Sequence, residues 1–400
     1  MLALGKRLVA RGHAVTFETW ERWSEPSRAT GMEFVAAPEY PVFPTLERPL
    51  APYEAVRRAT PITRRAIAAC RPDVVVHDIL TLAPALAAEL EGLPAATLVP
   101  HPYPVGAPGL PPYGLGARMP RTGLGSRLWS ALDRLTEAGL RRGRSELNDT
   151  RARLGLPKLE NLFGGISEQL CVVATFPQLE YPRAWPDHVH LVGPVLWEPA
   201  APEPALPPGT EPLVLVAPST AQDPGHRLLR ASLAGLAGLP VRVLAVAGRR
   251  PLPRPTRCGR SASVVNWLTY SRAMPHASLV ITHAGHGTLA RALSCGTPVL
   301  AVPHSGDMGE NAARVEWAGA GVRLPWRLLA PVTLRLAVQR ALSDVRYATK
   351  AAELGNWAAA NDGVGRAAEL VEQLAGGLEA TPSPIGRELR GRDSNPQLNG

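Results

Sequence analysis

Short apolar runs alternate with amphipathic stretches along most of the chain. A short apolar run predicts a buried strand, and apolar positions three or four residues apart predict a helix that covers a sheet. In the first half, strands are predicted at residues 15–19, 73–77, 95–99, 170–175 and 189–192. Helices are predicted at residues 2–11, 54–70, 83–91 and 124–154. We expect the last of these helices to break near the glycines of residues 139–143.

The second half repeats the same alternation. Strands are predicted there at residues 213–217, 241–246, 263–265, 279–282 and 299–302. Alternating strands and helices predict parallel sheets covered on both faces, and hence two doubly wound α/β domains in tandem. We expect the domains at residues 1–194 and 213–376, a Pro- and Ala-rich linker at 195–212, and a disordered tail at 377–400. Ligands of such folds bind in the cleft at the carboxyl ends of the strands.

The most informative motif follows the predicted strand at residues 279–282. Residues 283–288 read His-Ala-Gly-His-Gly-Thr, and a helix pattern begins within them. The first turn of a helix has unpaired N–H groups and a partial positive charge, so it is a natural phosphate site. Gly285 and Gly287 let a phosphate approach the backbone, and His283, His286 and Thr288 add side-chain donors. Such turns often bind nothing, but the histidines and the threonine favour a diphosphate site. A zinc site lacks a third ligand nearby.

Composition narrows the class of protein. The 400 residues carry a net charge of +9, from 43 basic and 34 acidic residues, and 45% are hydrophobic. The arginines are scattered, so no nucleic-acid surface is expected. The four cysteines are far apart and predict no disulfide framework, which is typical of a reducing cytoplasm. No apolar run is long enough to span a membrane, and the first residues do not resemble a signal peptide.

Residues 264–320 resemble the donor-binding signature of the UDP-glycosyltransferase family, in particular its antibiotic and macrolide branch from actinomycetes. The resemblance extends over residues 1–374. It implies a GT-B fold, in which two Rossmann-like domains face a cleft. It also implies an inverting glycosyltransferase that moves a hexose or deoxyhexose from a UDP- or dTDP-sugar to a hydroxyl of a hydrophobic natural product. The nucleotide sugar is a co-substrate, and no other cofactor and no metal are implied.

The same resemblance implies a set of donor-binding residues. The diphosphate would be held by His283, Gly285, His286, Gly287 and Thr288, with Ser219 and Thr220 contributing after the strand at 213–217. Trp267 would stack on the nucleobase, and a core position is its alternative. Asp307 would accept hydrogen bonds from two sugar hydroxyls, with Asn311 nearby or capping the next helix.

Three positions depart from the pattern of the family. Met308 stands where relatives have Gln, and its side chain cannot donate to a sugar hydroxyl, which favours a deoxygenated sugar. Arg291 stands where plant relatives have a ribose-binding Glu, and this leaves a dTDP-sugar open. Thr269 replaces a Pro in the loop that contains Trp267.

The catalytic base of the family is a His that follows the first strand. This chain begins in the helix after that strand, so we expect the first strand and the base to be missing and the start codon to be misassigned. Asp78 matches the acidic residue that orients the base, and a helix N-cap is its alternative. His77 should point the opposite way, because side chains alternate along a strand.

Two other functions remain open from the sequence. The first is a non-catalytic nucleotide-sugar-binding partner, or an inactive truncated homologue. The second is a sugar-nucleotide epimerase, which is disfavoured by the small number of acidic residues at strand ends. The loops of the first domain, including the Pro-rich stretch at residues 101–120, are expected to define the acceptor. Tyr103, Tyr113 and Trp129 are candidates for an apolar acceptor pocket, and placement in the core or at the surface is their alternative.

Overall fold

The computed structural model describes residues 1–40, 52–199, 203–218, 223, 225–248 and 261–377. Strands and helices alternate through these residues. The strands are β1 (Thr16–Thr19), β2 (Glu33–Ala36), β3 (Val75–Asp78), β4 (Ala95–Val99), β5 (Leu170–Val173), β6 (Val189–Leu191), β7 (Leu213–Ala217), β8 (Arg242–Val246), β9 (Ala262–Val265), β10 (Leu279–Thr282), β11 (Val299–Ala301) and β12 (Gly321–Arg323). The helices are α1 (Leu2–Ala10), α2 (Ser24–Ala29), α3 (Pro52–Cys70), α4 (Ala83–Leu90), α5 (Gly123–Arg153), α6 (Arg227–Leu236), α7 (Tyr270–Ala273), α8 (His286–Ser294), α9 (Met308–Ala318), α10 (Pro331–Ser343), α11 (Val345–Ala360) and α12 (Gly363–Ala375).

The strands of the first half form two separate parallel sheets. Strands β3, β4, β5 and β6 pair in that order, and β1 pairs with β2. In the larger sheet Val75 is opposite Ala95, and Ala96 is opposite Leu170. Apolar side chains cover this sheet on both faces, because each parallel strand is buried between helices or loops.

The second half forms one parallel sheet with the order β12-β11-β10-β7-β8-β9. From β7 the chain proceeds outward through β8 to β9, and then returns to place β10 on the other side of β7. The strand order therefore reverses between β7 and β10. Ligands of doubly wound sheets bind at such a switch point, beyond the carboxyl ends of the two strands. The motif that begins at His283 directly follows β10 and lies at this point.

The last helix crosses back to the first half. Ala367, Leu370 and Val371 of α12 are buried in the same core as Leu4 of α1 and Leu98 of β4. The Glu372 carboxylate also accepts a two-pronged hydrogen bond from the Arg11 guanidinium and lies 2.7 Å from His13 Nε2. Residues 363–375, expected within the second unit, thus pack on the sheet of the first.

The structure differs from the sequence-based expectation in three elements. Helix α5 continues unbroken through Gly139 and Gly143. A glycine inside a helix costs only about 1 kcal/mol and keeps its backbone hydrogen bonds, so the flanking turns carry the helix through. The strands β2 and β12 were not predicted, because each has at most four residues and is defined by its pairing with another strand.

No helix among the described residues is long and apolar enough to cross a membrane. The long helix α5 carries arginines along its whole length. The described part of the predicted linker, residues 195–199 and 203–212, contains neither helix nor strand, and the predicted tail lies outside the described residues apart from Gly377.

Candidate functional site

The start of α8 faces open space at the switch point of the second sheet. Gly285 is the N-cap of α8, and the helix begins at His286. A Cβ atom placed on Gly285 or on Gly287 would meet no atom of the described residues within 4 Å. The described residues therefore leave space beside the first turn of the helix, whose unpaired N–H groups suit an anion such as a diphosphate. Thr288 lies in the same first turn and is half-buried.

The turn before this helix is strained, and a side chain of the neighbouring helix α9 stabilises it by a hydrogen bond. Ala284 has a φ of 63°, a left-handed conformation that costs energy for any residue with a Cβ. The buried Asn311 Nδ2 donates to the Ala284 carbonyl and to Asp307 Oδ2, both at 2.9 Å. Asn311 thereby links the turn at Ala284 to Asp307, the predicted sugar ligand. Asp307 itself precedes the first residue of α9 and is half-buried.

His283 lies behind the turn in an aromatic cluster. Its ring is next to those of Trp326 and His304, at centroid distances of 5.5 and 6.4 Å. Its Nε2 lies 3.6 Å from the Asp223 carboxylate, which also accepts hydrogen bonds from the backbone N–H groups of Arg227 and Leu228. Burial lowers the pKa of His283 to about 4, against the opposing effect of Asp223. The imidazole is therefore neutral at physiological pH.

The His286 side chain is turned toward the first half of the chain. Its Nε2 lies 3.0 Å from Thr175 Oγ1, just beyond the end of β5. Burial, with a smaller effect from His101 in the same direction, lowers the pKa of His286 to about 3. His286 thus bridges the two halves as a neutral ring. The predicted role of this side chain at the diphosphate stays a prediction, because its Nε2 is engaged with Thr175.

The remaining predicted donor ligands fall in different places. Trp267 follows β9 and has half of its surface exposed, so its ring is available for stacking and is not part of the core. Ser219 and Thr220 lie outside the described residues.

The three positions that depart from the family pattern all have structural surroundings, and Thr269 is buried. Met308 is buried in the core of the second sheet. Arg291 Nη2 donates to the Trp197 carbonyl at 2.9 Å, and Nη1 lies 3.5 Å from the Glu198 carboxylate. Glu198 in turn accepts from the backbone N–H of Tyr270. Arg291 therefore holds the linker against the loop that contains Trp267.

Asp78 ends β3 at the carboxyl edge of the first sheet. Its Oδ1 accepts from the backbone N–H of Leu80 at 2.9 Å, which closes a turn ahead of α4. The N-cap of α4 is Leu82, so Asp78 is not a helix cap. His77 points the other way, as expected, and its buried Nε2 lies 2.9 Å from Thr97 Oγ1.

The loop of residues 113–118 is bound to α9, a contact that the sequence did not predict. Glu310 Oε1 accepts from the backbone N–H groups of Gly114 and Gly116, at 3.0 and 2.5 Å. Its other oxygen pairs with Arg314, whose guanidinium lies over the rings of Tyr113 and Tyr181. Glu310 is buried although carboxylates rarely are, and its three donors compensate for the lost water. We call this arrangement the loop–α9 contact.

Gly116 makes the loop–α9 contact possible. It has a φ of 57°, and a Cβ there would lie 2.7 Å from the backbone carbon of Gly309. Two glycine backbones therefore touch where the two halves meet. Arg323 adds a hydrogen bond to the Gly116 carbonyl, and Arg118 pairs with Glu316 at the exposed end. In the sequence, this contact is indicated only by the spacing of Gly114 and Gly116 in a Pro-rich loop.

With this geometry established, comparison with known proteins defines the family. The profile of the erythromycin biosynthesis protein CIII-like C-terminal domain matches residues 248–375. The chain is 31% identical to 4'-demethylrebeccamycin synthase from Lentzea aerocolonigenes, over 76% of this chain and 74% of that protein. The chain belongs to the antibiotic glycosyltransferase family. It is also 29% identical to O-mycaminosyltylonolide 6-deoxyallosyltransferase from Streptomyces fradiae, over 94% of each chain.

Solved structures place this glycosyltransferase in the GT-B fold. A spinosyn rhamnosyltransferase complexed with thymidine diphosphate matches it with a TM-score of 0.68 at 19% identity, over 94% of this chain and 95% of that one. The expected architecture of two Rossmann-like domains is confirmed. The open start of α8 and Asp307 thus lie in the second domain of a GT-B glycosyltransferase, at its boundary with the first.

Proposed function

We propose that this glycosyltransferase transfers a hexose or deoxyhexose, with inversion, from a UDP- or dTDP-sugar to a hydroxyl of a hydrophobic small molecule in the cytoplasm. The observation that carries the proposal is the open start of α8 with Asp307 fixed beside it through Asn311. The helix start suits the diphosphate, and the carboxylate suits vicinal hydroxyls of the sugar.

The comparisons support the proposed donor and acceptor classes. One relative is a 6-deoxyallosyltransferase and another is named as a synthase of a rebeccamycin. The similar spinosyn enzyme is complexed with thymidine diphosphate. The buried Met308 offers no donor for a sugar hydroxyl, which favours a deoxygenated sugar.

The proposed test combines donors with acceptors and follows the product by mass. The purified protein is incubated with UDP-glucose, dTDP-glucose or dTDP-rhamnose and with a panel of hydrophobic polyols and phenols. We expect a product heavier by one sugar residue, with the opposite anomeric configuration to the donor. Donor binding without a product from any acceptor would favour the non-catalytic partner, and an epimerised sugar formed without an acceptor would favour the epimerase.

A further inference from the structure

We propose that a groove between the two halves of the chain binds a small organic molecule that carries two or more phosphate groups. The groove has a volume of about 690 Å³, which is typical of a ligand site. We call it the basic groove, because its lining includes six basic side chains: Arg118, Arg121, Arg323, Arg340, Arg346 and Lys350. The proposal concerns a site apart from the donor cleft, so it does not depend on the proposed function.

The basic groove lies one helix length away from the proposed sugar ligand. Asp307 precedes the first residue of α9, whereas Trp317 and Gly319, at the end of α9, line the groove. A helix rises about 1.5 Å per residue, so the 11 residues of α9 separate these two ends by about 15 Å. None of the described residues that line the groove is a predicted donor ligand. The groove is therefore a second site.

Both halves of the chain contribute cations to the basic groove. Arg118 and Arg121 lie between the loop–α9 contact and the start of α5. Arg323 ends β12, which is an edge strand of the second sheet. Arg340 lies in the last turn of α10, and Arg346 lies in the first turn of α11. Basic side chains from a loop, a strand and two helices thus converge on one concave surface, and an anion bound there contacts both halves.

The acidic residues near the groove neutralise only part of this charge. Three of the basic side chains have a carboxylate partner, in the pairs Arg118–Glu316, Arg346–Asp344 and Lys350–Glu353. The other three form no ion pair with any carboxylate of the described residues; they are Arg121, Arg323 and Arg340. Arg323 Nη1 donates to the Gly116 carbonyl at 2.6 Å, which holds this guanidinium in place without neutralising it. Three positive charges therefore remain for a ligand.

These charges and the aromatic side chains define the class of ligand. A hydrogen bond from Arg346, with a smaller effect of the Arg340 charge, lowers the pKa of Asp344, so this one ionised carboxylate lies close to two guanidinium groups. Guanidinium groups bind phosphate oxygens through paired N–H donors, and three unneutralised ones favour a multiply charged anion. Trp317, which is 40% exposed, and the half-buried Tyr347 provide apolar surface for an organic part. An organic diphosphate therefore suits the groove.

The experiment measures the binding of inorganic pyrophosphate and of dTDP by calorimetry. Arg121→Gln and Arg340→Gln each remove one exposed cation that has no ion pair among the described residues. Arg153→Gln is the matched control, because Arg153 is an equally exposed arginine at the end of α5 and does not line the groove. Gly285→Ala reports on binding at the start of α8. Circular dichroism and the thermal midpoint verify that each variant is folded.

We expect the affinity for pyrophosphate to fall at least tenfold in Arg121→Gln and in Arg340→Gln, because each variant loses a charge-assisted contact. Arg153→Gln should bind pyrophosphate within twofold of the parent protein. A second equivalent of bound dTDP that both groove variants abolish would support the proposal and identify a nucleoside diphosphate as the source of the phosphate groups.

Three results would overturn the proposal. The first is an affinity for pyrophosphate that is unchanged in both groove variants or is lowered equally by Arg153→Gln. The second is pyrophosphate binding that only Gly285→Ala abolishes, which would assign it to the start of α8. The third is a poly-glutamate peptide that binds the groove while pyrophosphate does not, which would indicate an acidic protein partner. A parent protein without transferase activity would overturn the proposed function and leave the basic groove unaffected.

Discussion

Asn311 binds the carbonyl of Ala284, which lies 27 residues earlier in the sequence, and also the nearby Asp307. One amide nitrogen bonds both the carbonyl of the strained Ala284 and the carboxylate of Asp307. A buried polar group that loses its partner costs about 1–3 kcal/mol, so this bond helps to maintain the left-handed turn. The geometry in front of α8 therefore depends on a side chain of α9 as well as on the glycines of the motif.

The first prediction tests whether the space in front of α8 belongs to a ligand. Gly285→Ala adds one methyl group where the described residues leave room, and the φ of −59° suits alanine. We expect the fold and the thermal midpoint to be retained. A nucleoside diphosphate needs the same space, so its affinity should fall at least tenfold, or about 1.4 kcal/mol, by calorimetry.

The control for Gly285→Ala is Gly139→Ala in the middle of α5. A Cβ on this glycine would also meet no atom within 4 Å in the part of the chain that the structure describes, and the position lies far along the chain from the motif. Alanine there should stabilise the helix by about 0.5–1 kcal/mol and leave donor affinity unchanged. Equal donor affinity in both variants would show that the start of α8 is not the diphosphate site.

At the scale of elements, α9 contacts both parts of the proposed reaction. Near its start, Asn311 bonds to both Asp307 and the turn at Ala284, and Glu310 with Arg314 holds the loop of residues 113–118. The loop contains Tyr113, which is close to His101. Any displacement of α9 would therefore move groups on the donor side and the acceptor side together.

The second prediction concerns the loop–α9 contact. Glu310→Ala leaves Arg314 buried without this carboxylate and leaves two backbone N–H groups without their acceptor, so the free energy of unfolding should fall by about 3 kcal/mol. The Michaelis constant for the acceptor should rise, because the loop is released. Urea unfolding and steady-state kinetics measure the two effects.

Glu316→Ala provides the comparison within the same contact. Glu316 pairs with Arg118, whose side chain is 75% exposed, and exposed ion pairs contribute about 0–1 kcal/mol. We expect a small loss of stability and a nearly unchanged Michaelis constant. If the two variants lost stability equally, the buried Glu310 would not be the residue that holds the loop.

At the scale of the whole molecule, α12 joins the end of the described chain to the first sheet. Leu370 is completely buried there, although the sequence places it after the second sheet. The third prediction is that Leu370→Ala destabilises the protein by about 2–5 kcal/mol through lost burial and the cavity it leaves. Leu336→Ala, at an exposed position of α10, should change stability by less than about 0.5 kcal/mol in the same urea titration.

The fourth prediction is a loss of stability in mild acid. Burial lowers the pKa of His283 and His190 to about 4 and of His286 to about 3, from a usual value of 6.5. Below pH 6.5 the unfolded chain therefore binds more protons than the folded one, so stability falls as the pH falls toward 4, by up to about 1.4 kcal/mol per pH unit for each His. Glu18 and Glu180 have raised pKa values and oppose this at the acid end.

Urea titrations at pH 7.5, 6.0 and 5.0 measure this dependence. His286→Gln removes one of the titrating groups and should make the slope shallower. A free energy of unfolding that rises on acidification between pH 7.5 and 5.0 would contradict the assignment of these rings as buried and neutral.

Much of the fold was predictable because its signals are local. Strands β4, β7 and β10 were predicted with their observed bounds, since apolar runs bounded by turns define buried parallel strands. The start of α8 was predictable from Gly285 and the strand before it. The short strand β12 was not, because its pairing with β11 is a tertiary contact with little pattern in the sequence. The expected loss of a first strand stays a prediction.

The contacts between the two halves of the chain could not be predicted from the sequence either, because they are tertiary contacts. His286 and Thr175 are 111 residues apart, and Glu310 and Gly116 are 194 apart. No periodicity connects such pairs, so the orientation of His286 and the burial of Glu310 follow only from the folded chain. The sequence shows which types of residue the motif contains, but it does not show in which direction their side chains point.

The loop–α9 contact also has a thermodynamic consequence. One helix holds both the proposed sugar ligand and the loop of residues 113–118, so a donor that displaces α9 would change the free energy with which an acceptor binds at that loop. The free energies around that cycle sum to zero, so the factor by which a donor changes acceptor affinity must equal the factor by which the acceptor changes donor affinity. An affinity measured with one substrate alone therefore describes a single edge of a four-state cycle.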